Sequence, residues 1–182
     1  MSNNISPIET EYDGRRFRSR LEARWAIFFN QVGLPYEYEY EGFEMDGIRY
    51  LPDFYIPSLD RWFEIKGKPL TPKELIKSEE FCKRLDNYSI KYSVLIGSPI
   101  ACAIKIDDFY GILEYVWQWP SERYPESVRF ETPEGMLETP QYSRFVKGLW
   151  VVPDKTMEEV ALAATIAGKA RFEFGETPDG KG

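Results

Sequence analysis

From residue 19 to residue 32 the apolar positions Leu21, Trp25, Phe28, Phe29 and Val32 recur at the spacing of one helix face. Ser19 is placed to cap this helix, with Glu22 three positions on to complete a capping box, and Gly33 and Pro35 end it. Residues 36–41 alternate tyrosine with glutamate, the pattern of a strand with one acidic, solvated face. Residues 48–56 read as a second strand with Pro52 inside it, and residues 61–66 as a third. An amphipathic helix follows over 71–85, with Thr71 as cap and Pro72 at its first helical position. Residues 91–96 form a buried strand closed by Gly97.

The predicted order is helix, three-strand antiparallel meander, helix, strand, an α/β arrangement. Residues 109–153 carry Trp117, Trp119, Trp150 and many prolines without a clear period, so the pattern assigns them no element. Residues 157–170 are alanine-rich and helical. The expected organisation is a flexible tail over 1–10, a core over 11–108, an aromatic extension with a C-terminal helix over 109–172, and a second tail over 173–182.

Composition narrows the chemistry. With 43% hydrophobic and 16% aromatic residues in 182, there is material for a sizeable core. No apolar run reaches the roughly 18 residues of a membrane span, and residues 1–9 lack the apolar stretch of a signal peptide. The expectation is an intracellular, cytoplasmic protein without a membrane partner. Cys82 and Cys102 form no CxxC pair, which argues against a disulfide framework and against zinc. The chain has no histidine. Ser-His-Asp and Cys-His catalysis are therefore excluded, together with histidine-based zinc hydrolysis. Any catalysis runs on carboxylates, lysine, tyrosine, bound metal or an outside cofactor.

Tyr50-Leu-Pro-Asp53-Phe and Phe63-Glu64-Ile-Lys66-Gly67 carry the strongest chemical signal. Side chains alternate along a strand, so Glu64 and Lys66 share one face while Phe63 and Ile65 point to a core. Trp62 shares the polar face and is expected at its edge. If residues 57–60 close a regular hairpin, Ile56 faces Arg61, and three steps back Asp53 faces Glu64. Two carboxylates at about 5 Å repel unless a proton or a cation lies between them, and a hard cation such as Mg²⁺ suits oxygen ligands. The Ile65 carbonyl is a further ligand candidate, with Lys66 beside the metal. The alternative is a solvated hairpin with a surface Glu64–Lys66 ion pair worth under about 1 kcal/mol.

With that order of elements, PD followed by ExK resembles the PD-(D/E)XK nuclease superfamily. The stretch Phe17-Arg-Ser-Arg-Leu-Glu-Ala-Arg-Trp25, together with the two segments above, is similar to phage-encoded endonucleases in particular. The similarity covers roughly residues 12–97, and Ala170-Arg-Phe-Glu173 extends it. The resemblance implies a restriction-endonuclease-like core, a phage or mobile-element origin, and Mg²⁺-dependent hydrolysis of DNA phosphodiesters, with Mn²⁺ able to substitute. It implies Glu22, Asp53, Glu64 and Lys66 as catalytic residues, with metal held by Asp53, Glu64, the Ile65 carbonyl and Glu22, the last directly or through water. Some relatives carry a cysteine-rich zinc segment in the second half; this chain has none. A non-catalytic DNA-binding or assembly protein on the same fold, and an RNA nuclease, are the alternatives.

A net charge of -7 weighs against nucleic-acid binding unless basic residues cluster locally. They do so at Arg15, Arg16, Arg18, Arg20 and Arg24, while Glu37, Glu39, Glu41, Glu44 and Asp46 crowd elsewhere. Arg15, Arg16, Arg18 and Arg20 precede and open the first helix, a setting suited to phosphate contact, with a solvated charge run as the alternative. Lys68 and Lys73 are weaker candidates. Tyr36, Tyr38 and Tyr40 are expected in core and cross-strand packing, with base stacking as the alternative. The tryptophans of the second half are expected in the core or in a homodimer contact.

Overall fold

The computed structural model describes residues 7–45, 47–85, 91–106, 109–118, 144–150 and 152–172. The chain opens on a small hairpin, β1 (Thr10–Tyr12) and β2 (Arg15–Phe17), turned by Asp13 and Gly14 in the left-handed region. Thr10, expected in a loose tail, is buried; residues 1–6 and 173–182 lie outside the described residues. Helix α1 (Arg20–Gln31) follows with Ser19 as its N-cap, the Ser19 hydroxyl accepting from the Glu22 N–H. The capping box is only half formed, because the Glu22 carboxylate reaches the Ser19 hydroxyl and the Arg18 N–H instead of the Ser19 N–H.

The tyrosine–glutamate segment is strand only over β3 (Glu37–Tyr38), since Glu39 turns at φ 49 and its N–H binds the Asp53 carbonyl. The single strand expected over 48–56 is two. β4 (Phe43–Met45) pairs with β5 (Ile48–Tyr50) in a separate hairpin, and β6 (Phe54–Ile56) joins the main sheet. Pro52 stands at the break, where a residue without an N–H cannot continue a central ladder. A 3-10 turn, Pro57–Leu59, and Asp60 at φ 44 then lead into β7 (Arg61–Lys66). Next come α2 (Pro72–Leu85), capped at Thr71, and β8 (Lys91–Ile96), followed by Gly97 at φ 103.

The second half does not stand apart. A short helix α3 (Pro99–Cys102) and β9 (Ala103–Ile106) lead to β10 (Phe109–Gln118), which pairs with β9, with β8 and with β11 (Arg144–Trp150). Helix α4 (Met157–Lys169) closes the described chain behind a full Thr156–Glu159 capping box. The main sheet runs β11-β10-β8-β7-β6-β3, with β9 beside β10. Strands β3, β6 and β7 form the expected antiparallel meander; β7 and β8 are parallel, Arg61 beside Lys91 through Lys66 beside Ile96.

The result is a mixed α/β fold in three layers. On one face, Phe54, Phe63, Ile65, Leu95, Ile112 and Trp150 of the sheet pack with Trp25, Phe28 and Phe29 of α1 and the alanine face of α4. The Trp25 indole N–H donates to the Gly97 carbonyl and so ties α1 to the end of β8. Beneath this core, Arg61 pairs with Glu114 at 2.6 Å, and Ser93 donates to the same carboxylate. On the other face, Trp62, Tyr92 and Val94 pack with Phe81 and Cys82 of α2 and with Phe43 and Tyr50 of the small hairpin. Trp62, expected at an edge, is buried here at the centre of an aromatic cluster. Trp150 is likewise core, its ring 5.0 Å from that of Phe63; Trp119 lies outside the described residues. Among the described residues no helix is long and apolar enough to cross a membrane.

Candidate active site

The β6–β7 ladder holds the expected register as far as Phe54 beside Phe63, and there it stops. Asp53 sits one step beyond, at the bend that follows Pro52, and its carboxylate turns to β7: Oδ2 accepts from the Ile65 N–H at 2.7 Å. Strand alternation puts Glu64 and Lys66 on the α2 face, and their side chains meet at 2.8 Å. Glu22 approaches from the first turn of α1. Asp53, Glu64 and Glu22 are all buried.

Each carboxylate has named partners. Glu64 Oε2 accepts from the Tyr50 hydroxyl at 2.8 Å, and Tyr50 continues to Tyr92 and Ser78. Glu22 Oε2 accepts from the Tyr38 hydroxyl at 2.5 Å. Asp53 Oδ1 is held by Arg18, whose Nε also lies 2.7 Å from Glu39 and 3.9 Å from Glu22. Lys66 is shared between Glu64 and Glu74, the latter at 3.2 Å.

Burial, then Glu64 and Glu22, raise the Asp53 carboxyl well above its ordinary range; the Ile65 N–H and Arg18 pull the other way without prevailing. Arg18 in turn is held above its ordinary pKa, because Asp53, Tyr38, Glu39 and Glu22 outweigh its partial burial. These two directions oppose each other, since each presumes a different charge on Asp53. The direction that stands is a raised Asp53, an acid nearly sealed from water beside two others, which would rise further without Arg18. Burial works against the Lys66 charge, but Glu64 and Glu74 prevail and raise its pKa. Lys66 is therefore a standing cation. Burial, with Tyr92 and Glu64 beside it, raises Tyr50, which stays a phenol that donates to Glu64.

Above these groups lies a cavity of about 330 Å³ walled by Arg18, Arg49, Lys66 and Lys77 against Glu64 and Glu74, with Tyr50, Leu51 and Ser78. Its cations outnumber its carboxylates although the chain is acidic.

The expected DNA contacts are distributed differently. Arg15 and Arg16 lie on β2 and not at the start of the helix: Arg15 sits 5.4 Å from the Tyr36 ring centre, and Arg16 pairs with Glu9. Arg18 serves the acid cluster as an internal ion-pair partner before it is a surface charge. Arg20 begins α1 half-buried, and Lys68 is exposed. Of these residues and Lys73, only Arg18 lines the cavity. Tyr36 and Tyr38 pack on the core as expected, whereas Tyr40 is exposed and stacked on Tyr55. Sequence reasoning missed Tyr38, Tyr50, Arg49 and Lys77. The Tyr-x-Pro-Asp spacing of Tyr50 and Asp53 was the signal available for Tyr50.

Among the described residues no group of three or more histidine, cysteine or acidic side chains is spaced to hold a metal ion. What the site offers is two hard carboxylates, Asp53 and Glu64. The Ile65 carbonyl adds to them: its N–H already points at Asp53, and the N–H and C=O of one strand residue share a side. This donor set fits Mg²⁺, which takes one or two carboxylates and keeps waters, once Arg18 yields Asp53 Oδ1. It does not make a closed all-carboxylate cage. Compared with protein-family models, with curated proteins and with solved structures, the chain matches none.

Proposed function

We propose that this chain is a metal-dependent DNA endonuclease with a restriction-endonuclease-like core of the PD-(D/E)XK type. The observation that carries the reading is the convergence of Asp53, Glu64 and Lys66 below a basic cavity, with Asp53 placed by the break at Pro52 and the other two by strand alternation. The meander β3, β6, β7, the crossover through α2 and the parallel strand β8 support this reading.

In this reading Asp53, Glu64 and the Ile65 carbonyl hold Mg²⁺ or Mn²⁺, with Glu22 at the edge. The metal supplies charge neutralisation at the scissile phosphate and a more acidic bound water. Lys66, whose charge Glu64 and Glu74 favour against burial, stabilises charge developing on the phosphate and orients the attacking water. Tyr50 fixes Glu64 by donating to Oε2, leaving Oε1 to Lys66. Arg49 and Lys77 receive the DNA backbone.

One observation favours a second reading. Arg18 already occupies Asp53 Oδ1, as it would in a non-catalytic DNA-binding protein on this fold. Cleavage of labelled DNA and RNA, with Mg²⁺ and with EDTA, separates the two and also tests an RNA nuclease. We expect metal-dependent cutting of DNA, reduced at least a hundredfold in each of Asp53→Asn, Glu64→Gln and Lys66→Ala, all still folded. Binding without cutting in Mg²⁺ and Mn²⁺ would favour the second reading.

A further inference from the structure

We infer that Arg18 couples substrate to metal: it occupies Asp53 in the free protein and passes to a DNA phosphate when DNA binds, releasing Asp53 for the cation. This rests on the metal-dependent reading above.

Asp53 Oδ1 is the oxygen that Arg18 takes, while Oδ2 accepts from the Ile65 N–H. A guanidinium on Oδ1 and a cation on Oδ1 exclude each other by space and by charge. Asp53 is buried, and Arg18 is the cation that pairs with it.

Arg18 is also built to leave. Its backbone is pinned, with its N–H donating to both Glu22 Oε2 and the Tyr38 hydroxyl just ahead of the α1 cap. Its side chain is half-exposed, at 51%, against 4% for Asp53, and it forms part of the wall of the basic cavity. A phosphodiester entering that cavity offers the guanidinium two oxygens in a matching fork. Arg18 then keeps a full anionic partner while Asp53 gains a vacancy. Two ligands that each relieve the same internal pair bind with positive, reciprocal coupling. Arg18 is thus a positioning residue that admits the metal chiefly when DNA is present.

The test reads binding, not turnover. Mn²⁺ is titrated calorimetrically into the wild type, Arg18→Gln and Asp53→Asn without DNA, each checked for folding by circular dichroism. We expect Arg18→Gln to bind Mn²⁺ at least tenfold tighter than the wild type, and Asp53→Asn to lose binding. Without metal, the salt dependence of binding to a 20-base-pair duplex is followed by anisotropy. Asp53→Asn, which frees Arg18 for phosphate, should steepen the log–log slope by about 0.9, and Arg18→Gln/Asp53→Asn should lose that gain. If Arg18→Gln does not fold, Arg18→Lys carries the test, since lysine lacks the fork that grips Asp53 and should show a smaller gain in Mn²⁺ affinity. Mn²⁺ binding that depends on Asp53 but is not strengthened in the Arg18 variant overturns the coupling and leaves the nuclease reading standing. Mn²⁺ binding that ignores Asp53→Asn overturns both.

Discussion

At Asp53 a proton and a cation compete for one carboxyl, and stability in EDTA reports the contest. An acid whose folded pKa is raised stabilises the fold below its unfolded pKa, and that contribution is lost as pH climbs through the folded value. For Asp53 the decline begins near the unperturbed value of about 4 and continues through its raised range. Asp53→Asn should therefore match the wild type in melting temperature near pH 4 and exceed it increasingly toward pH 8. A difference that is flat or falls with pH would mean that Asp53 ionises without penalty. Arg49 and Lys77 belong to the same scale. In metal-free DNA binding, each alanine variant should reduce the salt slope by about 0.9, while Arg16→Ala, which does not line the cavity, should change it less. Glu64 and Lys66 were legible in the sequence because strand alternation fixes which residues share a face. The partner of Arg18 was not, since nothing local to residues 15–24 records a carboxylate that folding brings from position 53.

Among the elements, α1, β7, α2 and β8 follow the pattern of the sequence closely, because the two helices each have one apolar face and a capping residue and the two strands are short runs bounded by turn residues. The strand over 48–56 reads as one because its apolar pattern runs on through Pro52, while the missing N–H that divides it leaves no mark on hydropathy. Strand β10 lies between β8 and β11, and both partners stand well apart from it in the sequence, so nothing local to 109–118 marks it as a strand. The packing of α3 on α4 was equally invisible and depends on Gly168. A Cβ there would stand 2.5 Å from Ile100 Cγ2. Gly168→Ala should lower stability by about 1–3 kcal/mol through overpacking, against a gain of up to about 1 kcal/mol in helix propensity. Ile100→Ala in the same chain should recover most of the loss in a denaturant titration. A stabilised single variant would show that the two helices part without cost.

At the scale of the whole molecule, one site cuts one strand, and two sites related by a two-fold axis cut both. Strand β11 closes the sheet order and among the described residues pairs on one side only, with β10. An edge of this kind is suited to antiparallel pairing with a second copy. A homodimer through this edge is the prediction, with Trp150 apart from the contact because that side chain is core. Light scattering should give about twice 21.3 kDa; a mass of 21.3 kDa at working concentration, with and without DNA, would make the protein a monomer.

The order in which the core is assembled has a consequence for the protein's synthesis. Glu22, Asp53, Glu64 and Lys66 have all been added by residue 66, yet the aromatic face behind their strand is closed only by Trp150, Val152 and the alanines of α4. At about 5–20 residues per second the interval from Lys66 to Lys169 lasts on the order of 5–20 s. Through that interval a nascent chain carries Phe28, Phe29 and Phe63 without their final cover. The carboxylates and the lysine are present early, but the strand that carries them gains the last of its described cover only when α4 arrives.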